Sequence, residues 1–169
     1  MAIVALVLVP MSASAADLEV AFADPNWTGK RIPKGQHCMK FGGNGATPPL
    51  IVSGIPAGAN AIVVEFNDKS YRPLSYDGGH GKVGFLIPDG AIEATLIAVP
   101  GGTKALPEGT WLVEKNRAGG DWKSEGYLPP CSGGKGNKYT ADVIAVIIDP
   151  ASMKVLEELA DTRIKLGKY

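Results

Sequence analysis

Short apolar runs, each closed by a turn rich in glycine or proline, restrict this chain to a fold built mainly from strands. Residues 60–66 (NAIVVEF) form a continuous apolar stretch rich in β-branched side chains and bounded by Gly58 and Asp68. Such a run predicts a central strand covered on both faces. Residues 18–22 alternate and predict a first strand. Residues 82–87 close on Pro88-Asp89-Gly90, residues 91–99 close on Pro100-Gly101-Gly102, and residues 139–148 form the clearest run of all. With 22 glycines and 13 prolines, the chain has the turn residues such an arrangement needs. Helix signals concentrate at the end. Asp149 can cap, Pro150 suits a first helical turn, and Met153, Leu156, Leu159, Ala160 and Ile164 recur at helical spacing. They predict one amphipathic C-terminal helix packed on a β core.

The first residues read differently from the rest. An apolar run over residues 3–10 leads into Ala13-Ser14-Ala15, the small-x-small pattern of a signal peptidase site with cleavage before Ala16. The run is too short for a permanent membrane span. Residues 1–15 are therefore expected to be a signal peptide and residues 16–169 a single domain, periplasmic or secreted, with no integral membrane segment after signal removal. The other reading of the segment is a buried N-terminal strand. Cys38 and Cys131 are the only cysteines. In an exported protein they can pair in just one way, and the alternative is two reduced, buried thiols.

The chemistry-bearing inventory is sparse. Lysine plus arginine equals aspartate plus glutamate at 17 each, so there is no net charge to attract nucleic acid or an anionic membrane. Residues 79–84 spell G-x-G-x-x-G, but they precede a predicted strand instead of opening a helix, which is the wrong context for a dinucleotide. The two histidines, His37 and His80, lack a second ligand at zinc spacing, so no metal or cofactor is expected. Residues 101–138 carry few strand signals and read as long loops of the kind that build binding sites.

Four segments in order resemble the phosphatidylethanolamine-binding (Raf-kinase-inhibitor-like) family in its bacterial and archaeal branch. They are residues 42–50 (GGNGATPPL), residues 55–68 from Ile55-Pro56-Ala57-Gly58 to Asp68, His80 ahead of the 82–88 strand, and residues 126–131 (GYLPPC) followed by 136–139 (GNKY). The resemblance implies a large antiparallel sheet, a smaller second sheet and few helices. It also implies a surface pocket for phosphate-like or other anionic groups. Carried over by position, Asp68, His80, Pro130 and Tyr139 are the expected pocket residues. The chemistry is coherent on its own terms: a carboxylate can orient an imidazole, and imidazolium and phenol can donate to an anion.

The departures from the family pattern are Lys69 and Ser70 after Asp68, Asn137 and Lys138 before Tyr139, and Ser132-Gly133 after Cys131. Half of the usual polar pocket is altered, and Lys69 or Lys138 could supply different charge. The expected function is that of an exported binding protein, not an enzyme, for a small anion, a phospholipid head group or an acidic peptide end. The alternatives are a protease-inhibitor-like module that takes a protein partner, or a hydrolase using Cys131 and His80.

Overall fold

The computed structural model describes residues 17–169. The signal-type segment at residues 1–15 lies outside them. In chain order the strands are β1 (Glu19–Phe22), β2 (Leu50–Ser53), β3 (Ala61–Asp68), β4 (Lys82–Leu86), β5 (Glu93–Leu96), β6 (Thr110–Glu114), β7 (Lys138–Asp149) and β8 (Lys154–Lys168). They form a small antiparallel sheet in the order β1-β2-β5 and a large one in the order β6-β4-β3-β7-β8. The helical content among the described residues is three single 3-10 turns, at Met39–Phe41, Arg72–Leu74 and Gly120–Trp122.

β3 is central because both of its faces are apolar. Ile62, Val64 and Phe66 join Leu50, Val52 and Leu96 of the small sheet in the main core. Ala61 and Val63 point the other way, into a second cluster with Ile144, Val146 and Ile148. Trp111 packs against that second cluster. It does so by lying over Gly84, its direct cross-strand partner, where a Cβ would come within 2.3 Å of the indole. The apparent dinucleotide motif is thus explained by packing: Gly84 makes room for an indole, and Gly79 for the Leu74 backbone at 2.4 Å.

The expected C-terminal helix is instead β8, which pairs along its whole length with β7. The capping signals are real but serve a hairpin turn. The Met153 N–H donates to the Asp149 carbonyl at 2.8 Å, and the Asp149 carboxylate accepts from the Ala151 N–H and the Ser152 hydroxyl. Met153 then adopts φ 58° and the chain extends. β8 has 15 residues against 12 in β7, and the three extra, Leu156, Leu159 and Leu166, fall at breaks in the ladder register. An inserted residue lengthens the same-face spacing of a strand from two to three. A bulged strand therefore imitates helical periodicity, and pairing with β7 decides the conformation.

Candidate functional site

The end of β3 and the start of β7 place Asp68 directly opposite Tyr139. His80 comes from the turn before β4. Its N–H donates to the Phe66 carbonyl at 2.8 Å, its carbonyl accepts from the Leu128 N–H at 2.8 Å, and Nδ1 donates to the Leu128 carbonyl at 2.7 Å. Three hydrogen bonds, two from the backbone and one from the ring, hold the residue in the wall of the site. Asn67 supports this turn from behind, accepting from the Gly79 N–H at 3.1 Å and donating to Asp142 at 3.0 Å.

Asp68, His80 and Tyr139 all line one cavity of about 430 Å³. The His80 ring meets the Tyr139 ring edge-on, with centroids 5.4 Å apart. Asp68 is buried, and its carboxylate accepts from the Ser70 N–H at 2.9 Å and the Asn137 amide at 2.6 Å. The Tyr139 hydroxyl accepts from the Cys131 N–H at 3.2 Å, which leaves its proton for another acceptor. Pro130 is buried behind the lining, where its carbonyl accepts from the Cys38 N–H at 3.1 Å. The neighbouring Leu128, Cys131 and Ser132 face the cavity in its place.

Cys38 and Cys131 are joined by a disulfide with the Cα atoms 5.2 Å apart. It packs with Leu128 and Ala118. Cys131 and Leu128 also line a second cavity of about 220 Å³ on the Cys38 side, so they form part of a wall between the two.

The electrostatics follow from burial. Desolvation holds the His80 imidazole below its ordinary value, against the opposing pull of the Leu128 carbonyl and the Asp68 charge. At neutral pH the ring is uncharged, and Nε2 is an acceptor. Burial, reinforced by the nearby Asp68 charge, pushes the Tyr139 phenol up to about 12, so it remains a donor. The cations at the cavity are Lys135 and Arg117. The Arg117 guanidinium also donates to the Asp77 carbonyl at 2.6 Å and stands 5.1 Å from the Tyr76 ring.

Arg117, Trp122 and Lys135 fall within the 101–138 loops expected to build a binding site, but nothing in the sequence singles them out individually. Arg117 and Trp122 lie on the 115–126 loop, which Asn116 ties down through its amide to the Gly126 carbonyl at 2.9 Å and the Ser124 carbonyl at 3.1 Å. Lys69 and Lys138, expected as substitute charges, do not line the cavity. Each is adjacent in sequence to a lining residue but lines a neighbouring groove instead.

No protein-family model and no curated protein sequence matches the chain. Solved structures do. A phosphatidylethanolamine-binding protein (PEBP) homologue from Chlamydia trachomatis superposes with a TM-score of 0.54 at 20% identity, over 90% of this chain and 97% of that one. YbcL of Escherichia coli, described as a member of the mammalian PEBP family, gives 0.54 at 20% identity, over 91% and 98%.

The chain has the PEBP fold.

Within that fold the two sheets are as the resemblance implied, and the terminal element is a strand.

Proposed function

We propose that this PEBP-fold chain is an exported binding protein whose cavity takes a small anionic group. The carrying observation is the convergence of Asp68, His80 and Tyr139 on one cavity that also presents Lys135 and Arg117. Among a free anion, a phospholipid head group and an acidic peptide end, the charge arrangement favours the head group of phosphatidylethanolamine type. Asp68 offers an acceptor for an ammonium, while Lys135 and the Tyr139 hydroxyl offer donors to a phosphate. Both structural neighbours are described as PEBP proteins. We extend that ligand class to this chain.

Binding without catalysis is part of the proposal. Bonding of Cys131 to Cys38 leaves a Cys131/His80 hydrolase without its thiol. Export is supported by the signal-type residues 1–15 and by a disulfide, which belongs in an oxidising compartment. Fractionation of cells expressing the full chain tests it: retention in the cytoplasm with residues 1–15 uncleaved would remove that part of the reading.

Titration calorimetry with phosphoethanolamine, and with sulfate as an anion that does not itself titrate, tests the site. Both should bind saturably. Tyr139→Phe, which deletes a donor, should weaken phosphoethanolamine binding about five- to tenfold. Sulfate binding should tighten as the pH falls below 6.5 and His80 gains a proton, and lose that pH dependence in His80→Ala. Absence of saturable binding by either ligand, or variants that bind like the parent, would refute the assignment.

A further inference from the structure

Zero net charge conceals a separation of charge. Eight of the 17 lysine and arginine residues line one open groove of about 1080 Å³ beside the cavity, and no aspartate or glutamate lines it. The groove is assembled by the backbone. The Lys69 N–H donates to the Lys138 carbonyl at 2.8 Å, Lys138 stands directly opposite Lys168 in the β7–β8 ladder, and Arg31 bridges Lys168 on its far side. Four cationic residues thus follow one another across adjacent backbones. Two glycines bring Arg31 and Lys30 this close. A Cβ on Gly167 would lie 2.7–2.9 Å from the Arg31 backbone, and one on Gly29 would lie 3.0 Å from the Lys165 carbonyl.

Like charges directly opposed across a ladder are destabilising. Here the opposition is not relieved. Of the eight cations only Arg163, held by Asp142, has a carboxylate at salt-bridge distance among the described residues. Elsewhere the same sheet does relieve it: Lys82 stands between Glu65 and Glu114 on neighbouring strands. A row of uncompensated cations kept in a concave surface is explained by an anion that occupies it.

The shape and chemistry narrow the anion. Single nucleic-acid strands are gripped by exposed aromatic faces, but Tyr139 is buried and the Tyr169 ring is stacked on His37 at 4.7 Å. A flat bilayer cannot enter a groove. Six of the eight cations are lysines, which act as point charges and tolerate loosely spaced sulfate or phosphate groups. We propose that the groove binds a linear anionic polysaccharide bearing sulfate or phosphate groups. This does not rest on the ligand assigned to the cavity.

The test measures binding of size-defined heparin oligosaccharides to the folded chain at several salt concentrations, with duplex DNA and phosphatidylglycerol vesicles as comparison arms. Heparin should bind saturably near physiological salt. Lys138→Gln/Lys165→Gln should weaken binding at least tenfold and lower the slope of log K against log salt by about two. Lys115→Gln/Lys154→Gln, which removes the same charge outside the groove, should leave affinity within twofold. Lys138→Glu should abolish binding while holding or raising the melting temperature, because it converts an opposed like pair into an ion pair with Lys168. Equal losses in the two double variants, or a fall in melting temperature for Lys138→Glu, would overturn the groove as a built site. Tighter groove-dependent binding of DNA or vesicles than of heparin would overturn the polysaccharide assignment.

Discussion

The Cys38–Cys131 bond should be the largest single contribution to stability, and its size can be worked from where it sits. It spans a sequence separation of 93 residues. In the chain-entropy account, closing a loop of that length removes about 4.6 kcal/mol of unfolded-state freedom. Its removal should disturb the native state much less. The Cys38 N–H would still donate to the Pro130 carbonyl at 3.1 Å, and the Cys38 carbonyl would still accept from the Gly43 N–H at 3.2 Å. The double variant Cys38→Ala/Cys131→Ala should therefore keep the parent's far-UV circular dichroism while its melting midpoint falls by roughly 9–18 °C. Urea unfolding should also show a larger m-value, since the released chain exposes more surface when unfolded. A midpoint drop under about 3 °C, or an unchanged m-value, would refute an origin in the unfolded state. Loss of near-UV signal in the folded variant would instead show that the bond holds the native wall between the two cavities.

Other expectations follow from individual contacts. Lys82→Ala should cost about 2–4 kcal/mol in chemical denaturation, because Glu65, half-buried and 2.9 Å from the ammonium, would lose its counter-charge; a loss below about 0.5 kcal/mol would mark the cluster as a solvent-screened surface pair. Gly84→Ala should destabilise by roughly 1–3 kcal/mol and change the Trp111 environment, since its Cβ would come within 2.3 Å of the indole; unaltered tryptophan fluorescence and stability would contradict the packing. For His80, burial lowers the folded pKa below the unfolded value of 6.5, so the unfolded chain binds more protons in the window between the two. Its contribution is fully present above pH 6.5, erodes as pH falls through that window, and levels off below the folded pKa. An NMR titration of His80 with a midpoint at or above 6.5 would contradict this.

What the sequence disclosed depended on how local the signal was. β1, β3, β4, β5 and β7 announced themselves because each contains a run or alternation bounded by turn residues. Three strands did not. β2 runs straight out of Pro48-Pro49 with no turn signal to separate it from the 42–50 loop, and β6 hides its Trp-Leu-Val inside a stretch of charges and glycines. β8 was misread because bulges broke its period. In the site, Asp68, His80 and Tyr139 were legible through ordered motifs that fix strand ends. Arg117 and Trp122 reach the cavity through a loop whose course is set by the buried Asn116, a tertiary fact with no periodic trace. The cationic groove was invisible to charge counting because a sum over the chain cannot register which residues the β7–β8 ladder and two glycines bring together.

The bulged β8 has a further consequence, for how copies of this chain meet one another. An outer strand of 15 residues is a template on which a second molecule could extend the sheet. Its last stretch is occupied by the chain's own Lys30–Ile32 segment, through the Lys168 and Ile32 amides. In the first half, the inserted Leu156 and Leu159 interrupt the even spacing that an incoming strand would have to match. In a symmetric antiparallel pair centred on Leu159, Glu157 would face Asp161, carboxylate against carboxylate. The same irregularities that disguise β8 as a helix make its open edge a poor template for a second copy of itself.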